Sequence, residues 1–257
     1  MHRALAAVRD ILDHLDALLH SERFDDYGPN GLQVPGRDQV DVVACGVSAH
    51  RELFERAAAA GAGLVLVHHG LFWDRAPRRL SPTLAARLRV LLEHGINLAA
   101  YHLPLDAHPE VGNNGLIAEG LGCEARQPFG LHHGVPIGVS ARFADDGVPA
   151  AELFRRVERL TGRSPLVFES GPDRVRSIGI VSGGGAGSLS EAVEEGLDAF
   201  LTGEPAEPAM EEAREAGIHF VAAGHYATET FGIRRLGELV AERFGVENRF
   251  IDVPNPV

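Results

Sequence analysis

Short unbroken apolar runs alternate with helix-period segments along this chain, and that alternation restricts the fold more than any single motif does. "VDVVACGVSA", "GLVLV" and "INLAAYH" read as strands, with "HRELFERAAAAG" and "SPTLAARLRVLLEHG" between them as helices. In the second helix Ser81 is placed as N-cap, Pro82 at the first helical position and Gly95 at the stop. The apolar runs lack polar alternation, so both faces of each strand need covering. Strands joined through helices pair in parallel, and parallel sheets are covered on both faces. "NNGLIAEGLG" opens a further helix.

The second half repeats this grammar. "VRSIGIVSGGGAG", "DAFLTGE" and "IHFVAAGH" read as strands; "SLSEAVEEG", "EPAMEEAREAG" and the closing "ETFGIRRLGELVAERFG" read as helices. "GINLAAYHLPLD" (Gly95 to Asp106) lies on "GIHFVAAGHYATE" (Gly217 to Glu229), and "GAGLVLVHHG" lies on "GLDAFLTGE", which sets Glu204 against His69. The pattern predicts an α/β fold of two pseudo-symmetric domains from an internal duplication, with mostly parallel sheets and flanking helices. The domains are expected at residues 1–127 and 128–257, the second with a strand-helix-strand insertion at about 133–170. The closing helix can pack on either domain.

With 257 residues, 45% of them hydrophobic, the chain can fill two modest domains. No apolar run approaches the roughly 20 residues that cross a bilayer. "MHRALAAVRDILDHLDALL" has the period of an amphipathic helix instead of a signal peptide, so a cytoplasmic location is expected. Every basic residue is arginine, which excludes a P-loop lysine and a Schiff-base lysine. The net charge of −12 argues against nucleic acid as a partner. Arg75, Arg78, Arg79, Arg87 and Arg89 read as a solvated face, with phosphate contact as the alternative. Cys45 and Cys123 read as structural thiols.

Ligands of open parallel sheets bind beyond the carboxyl ends of the strands. Those ends carry Ser48 and His50, His68 and His69, then His102; in the second half they carry Ser182, then Thr202 and Glu204, then His225. "HLPLD" spaces His102 and Asp106 as "HYATE" spaces His225 and Glu229. Pro104 predicts an extended loop around Asp106. Glu229 falls where the closing helix begins, where the helix dipole favours a carboxylate. His68, His69, Asp106, His225 and Glu229 combine imidazole with carboxylate and no thiolate, which suits Zn, Mn, Fe, Co or Ni better than Ca or Mg. Five such ligands exceed one open tetrahedral site and suit two metal ions per chain about 3.5–4 Å apart, sharing one carboxylate. Neighbouring strand residues face apart, so His68 and His69 are expected on different metals with Glu229 between them. His102 and Glu204 stand as the catalytic acid/base candidates at the same edge. A second pair, His132 and His133, lies outside both repeats and reads as a surface or connector pair. "SGGGAG" (Ser182 to Gly187) reads either as a phosphate cradle or as a tight, close-packed turn.

"DDYGPNGLQV", "VHHGLFW", "YHLPLDAHPEVGNN", "TGE", "AAGHYATE" and "FIDVPNPV" together resemble the YbgI group of the Nif-three-like family, over almost the whole chain. Its members are described as dinuclear-metal-centre proteins and GTP cyclohydrolase I type 2 homologues. The resemblance implies a dimetal site in a cleft between the domains and a ring-shaped homohexamer. The family's ligand positions fall on the same five residues, with Glu229 bridging. It also implies a metal-dependent hydrolase acting on a small, nucleotide-like substrate. For GTP that means hydration at purine C8 followed by ring opening. The alternative is a non-catalytic hexameric scaffold or regulatory protein whose metals are saturated by protein ligands.

Overall fold

The computed structural model describes residues 4–77 and 79–257; Met1, His2, Arg3 and Arg78 lie outside the described residues. The chain divides into two compact units, Met1–Leu105 with Gly232–Val253, and Asp106–Phe231 with Pro254–Val257. The division therefore falls at Leu105/Asp106, where the aligned halves placed it at 127/128. The helix Asn113–Leu121 is the reason: Ile117, Ala118 and Leu121 bury into one cluster with Val139, Leu153 and Ile178 of the second unit.

In the first unit the helix Val8–Leu19 buries Val8, Ile11, Leu12, Leu15 and Leu19, a single stripe at helical spacing. The five-stranded sheet runs Glu247–Phe250, Val42–Ser48, Leu64–His69, Asn97–Ala100, Gly31–Val34. The first four strands are parallel and the last is antiparallel. Ala44, Val65, Val67 and Leu98 pack one face against Leu53, Phe54 and Leu91 of the helices Arg51–Ala59 and Pro82–His94. Each side chain of this size contributes about 1.5–3 kcal/mol when fully buried. Ser81 caps the second of these helices, its Oγ accepting from Leu84 N at 3.1 Å, and Gly95 ends it at φ 60°. His50, one of the polar residues beyond a strand, caps the first helix by accepting from Leu53 N. The strand Glu247–Phe250 escaped the sequence reading. Its pairing with Val42–Ser48 goes with the closing helix, Thr230–Phe244, which from Gly232 onward belongs to the first unit. Cys45, on the neighbouring strand opposite Phe250, donates to Asn248 Oδ1. Burial, helped by the Glu238 charge, pushes its thiol up to about 12, and burial does the same to Cys123. Both behave as packing residues.

The second unit holds a six-stranded sheet in the order Leu166–Phe168, His219–Ala222, Ala199–Thr202, Ser177–Val181, Val135–Phe143, Cys123–His132. Only the central three strands are mutually parallel. The outer strands include a hairpin that the period analysis missed, because Cys123–His132 is mostly exposed and carries no apolar run. Its turn is His133 and Gly134, both with positive φ, between the paired His132 and Val135. A two-residue turn of that kind matches the strand twist and forces antiparallel pairing. The second histidine pair is thus a hairpin corner, its rings stacked at 4.2 Å. Alternate strand residues serve two cores. Ile178, Ile180 and Leu201 pack on Leu153 and Val157, while Phe200 and Phe220 pack on Leu189, Ala192 and Ala213.

Each unit contains three neighbouring parallel strands joined in sequence through helices. The ladders pair Val67 with Ala100 in the first and Thr202 with Ala222 in the second. His69 and Glu204 each follow two residues later. Among the described residues, no helix is long and apolar enough to cross a membrane.

Candidate functional site

The first unit's strand does not stop before the paired histidines; it runs through both, Leu64–His69. His68 is buried, and its Nδ1 donates to the Tyr101 carbonyl at 3.0 Å, beyond one neighbouring strand. His69 Nδ1 lies 3.1 Å from Ser48 Oγ, at the end of the other neighbour. Strict alternation predicts rings facing apart, yet the centroids are 4.8 Å from each other. The ladder ends at His69, and the chain bends at once. Gly70 has no side chain where Gln33 lies against it, and Leu71 N donates to Gln33 Oε1 at 2.8 Å.

His102 completes the cluster: one ligand atom from each of His68, His69 and His102 lies within 4.8 Å of the others. Its Nδ1 contacts Asp26 Oδ1 at 2.6 Å. The other oxygen of Asp26 accepts from Leu103 N and Asn30 Nδ2, both at 2.9 Å, and Asn30 Oδ1 accepts from His102 N at 2.8 Å. The loop "DDYGPN" is therefore a brace for the third imidazole. Burial pushes the Asp26 carboxyl up, but bonds from His102, Asn30 and Leu103 outweigh it and hold the group below its ordinary range. A depressed carboxyl stabilises the fold above its unfolded pKa, and that stability is lost as pH falls through the depressed value. Asp26→Asn is expected to cost about 2 kcal/mol at neutral pH. The gap from wild type should close in strong acid, read by urea unfolding at a series of pH values.

Asp106 is presented from a short helix, Leu103–Ala107, where an extended loop was expected. Pro104 sits in its first turn, where a missing N–H costs nothing. In the second unit Asp106 Oδ1 accepts from Asn113 Nδ2 at 2.8 Å and Ser182 Oγ at 3.0 Å. Asn114 ties the same region together, accepting from Ser182 N and donating to the Asp106 and Ile137 carbonyls. Gly183 comes next, at φ +61°, and a Cβ there would fall 2.2 Å from Glu229 Oε1 and 3.2 Å from His225 Nε2. Its carbonyl accepts from Gly203 N and Glu204 N at 3.0 Å, and its N–H donates to Thr228 Oγ1 at 3.1 Å. These contacts favour the tight-turn reading of "SGGGAG": the glycine lets the backbone press against the two ligand candidates.

Glu229 is 2% exposed and directly precedes Thr230–Phe244, as expected. Its Oε1 lies 3.1 Å from His225 Nε2, while His225 Nδ1 is bonded to the Glu204 carboxylate. Burial pulls the His225 pKa down, but Glu229 and Glu204 outweigh it and raise it to about 9. Glu204 is thus placed as the partner that orients His225. Arg75 and Arg79 are exposed and Arg89 pairs with Glu93 at 4.0 Å, consistent with a solvated face.

The donor chemistry fits divalent ions. The first unit offers three imidazoles and the second unit an imidazole with two buried carboxylates, both cysteines lie in packed positions, and His68, His69, His102 and His225 each have Nδ1 engaged. Asp26, Asn30, Asn113 and Asn114 were missed as functional residues. Their signal was side-chain amides and a carboxylate beside glycines, at Gly28 and Gly31 in one segment and Gly112 and Gly115 in the other.

A family model described as Duf34/NIF3 (NGG1p interacting factor 3) matches residues 6–256. A Pseudomonas aeruginosa protein named "GTP cyclohydrolase 1 type 2 homolog" is 42% identical over 250 residues, covering 97% of this chain and 98% of the relative. A Yersinia pestis protein of the same name is 44% identical over 243 residues, covering 94% and 96%. The solved structure of "protein ybgI, unknown function" matches with a TM-score of 0.92 at 39% identity, covering 98% of this chain and 100% of that one.

Proposed function

The chain belongs to the Duf34/NIF3 family, and from that premise we propose that it is a dinuclear-metal-dependent hydrolase of a small, nucleotide-like molecule. One observation carries the reading. His68, His69 and His225 have Nδ1 engaged by the Tyr101 carbonyl, the Ser48 hydroxyl and the Glu204 carboxylate. Metal-binding imidazoles are held in this way, which sets the tautomer and turns Nε2 to the metal.

The proposed ligands are His68, His69, Asp106, His225 and Glu229, with Glu229 shared. The chemistry that two divalent cations supply when bound is an acidified water and polarisation of the substrate. The chain's own residues do the remainder. Asn113 and Ser182 fix the orientation of Asp106. Glu204 holds the ring of His225. His102, braced by Asp26, is the proposed acid/base, taking a proton from water and returning it to the leaving atom. A homohexamer is part of the same proposal, as are Zn, Fe, Mn, Co or Ni as the metals.

Elemental analysis of protein purified anaerobically with metal supplementation tests the reading, beside a screen of nucleotides and phosphoesters. Two metal ions per chain with turnover of a nucleotide is the expected result. Much less than two per chain defeats the dimetal site. Full metal with no turnover favours the scaffold, and a monomer by light scattering counts against the ring.

A further inference from the structure

One face of the second unit's sheet, the one that carries Phe200 and Phe220, is only partly covered. The helix Leu189–Glu194 has six residues, and the chain turns back at Gly196, φ +66°, to bring Leu197 against the sheet. Gly179 leaves room for that return, since a Cβ there would fall 3.1 Å from Leu197 Cδ1. The outer hairpin is longer: Cys123–His132 has ten residues and Val135–Phe143 has nine. Beside Leu197 their side chains therefore line a cavity of about 440 Å³ instead of a core.

Pairing across four strands sets Gln127, Ser140, Gly179 and Phe200 side by side, so they share this face, and Arg142 joins them two residues along. The opposite face of the same strand is anchored, with Val139, Ala141 and Phe143 buried against Leu153 and Ile178. Ser140 is 9% exposed and lines the cavity, and among the described residues its hydroxyl has no hydrogen bond. A hydroxyl so far buried ordinarily has a partner. Gln127, Arg142 and Glu195 line the same cavity, and their side chains have no hydrogen bond or ion pair among the described residues either. Arg142 stands opposite Ser177, where the strand Ser177–Val181 begins; Gly183, which presses on Glu229 and His225, lies past its other end. The cavity is therefore separate from the candidate metal ligands.

Its charged walls are one cation, Arg142, and one anion, Glu195. A simple anion would meet the glutamate's repulsion and a simple cation the arginine's, while a molecule carrying both charges satisfies each. A guanidinium takes a carboxylate through two parallel N–H bonds. The glutamate accepts from an ammonium group, and Gln127 and Ser140 can donate or accept beside them. The volume is in the range of small-molecule sites, roughly 300–1,000 Å³. We infer that this cavity binds a free α-amino acid, its carboxylate on Arg142 and its ammonium on Glu195.

Saturation-transfer NMR on the full chain tests the assignment, with the common L-amino acids offered one at a time. The expected result is saturable binding of at least one of them and none of its N-acetyl or carboxamide derivatives, each of which has lost one charge. Arg142→Gln and Glu195→Gln should each weaken binding roughly 10- to 150-fold, and Ser140→Ala roughly 2- to 12-fold. Glu194→Gln, on an exposed neighbour outside the cavity walls, should leave it unchanged. Circular dichroism checks that each variant is folded. The inference is overturned if no amino acid binds saturably up to about 10 mM. Equal binding of either derivative, unchanged affinity in folded Arg142→Gln or Glu195→Gln, or equal weakening by Glu194→Gln also overturns it. So does a fall in mass by light scattering in those two variants with no amino acid bound, which would mean that a second copy fills the cavity.

Discussion

On the proposed dimetal reading, Glu229→Gln is expected to yield folded protein with strongly weakened metal binding. The substitution keeps the volume of a side chain that is 2% exposed, removes the charge and exchanges one acceptor oxygen for an amide donor. Loss of a residue that merely supports a ligand costs about 10–100-fold in metal affinity. If Glu229 is shared as proposed, the loss should exceed that, and competition against a chromogenic chelator measures it. The same variant has a signature without metal. His225 is raised to about 9 with Glu229 and Glu204 beside it. A raised imidazole pKa stabilises the fold fully below the unfolded value, and that contribution fades as pH rises through about 9. In Glu229→Gln the fade moves to lower pH, because one of the two carboxylates is gone. Histidine proton resonances followed against pH report it. In wild type, a cation must displace the proton from His225, so metal uptake below pH 9 should release protons and strengthen as pH rises. A pH-independent affinity between 6 and 9 would remove His225 from the ligand set.

Gly183→Ala carries the second large effect. At φ +61° an added Cβ strains the backbone, by about 1–2 kcal/mol on that ground alone. It would also arrive 2.2 Å from Glu229 Oε1, so the carboxylate or the turn has to give way. Either movement disturbs a glycine whose carbonyl accepts from Gly203 and Glu204 and whose N–H reaches Thr228. Thermal unfolding should register the strain, and metal affinity should fall roughly as for loss of a supporting residue, about 10–100-fold. Gly184→Ala is the matched control, since a Cβ there meets nothing within 4 Å. Equal metal binding by the Gly183 and Gly184 variants would show that the turn does not shape the site.

The parallel ladders and the histidines beyond them were legible because each signal is local. An apolar run followed by His68 and His69, or by His102, needs only a window of ten residues. The same locality explains the misses. Cys123–His132 is a strand through its hairpin partner, not through its own apolar content. Glu247–Phe250 is a strand because Val42–Ser48 offers an open edge. Asp106 looked extended because Pro104 disfavours helix in general, yet proline is tolerated in a first turn, which is where it stands. The convergence of His68 and His69 was hidden for another reason. Strand alternation governs where Cβ points, while Ser48 and Tyr101 decide where the rings go. Asp26 and Asn114 were invisible as partners, since nothing local says which group a carboxylate or a buried amide will meet.

The late strand Glu247–Phe250 has a consequence for biosynthesis. The first unit's sheet begins with residues translated early, yet the strand beside Val42–Ser48 leaves the ribosome only after the whole of Asp106–Phe231. The second unit is nearly continuous and can close while the earlier one still waits with an open edge. All six strands of the second unit's sheet are therefore synthesised before the first unit's sheet is complete. During that interval the unpaired edge of Val42–Ser48 is the segment most in need of a chaperone.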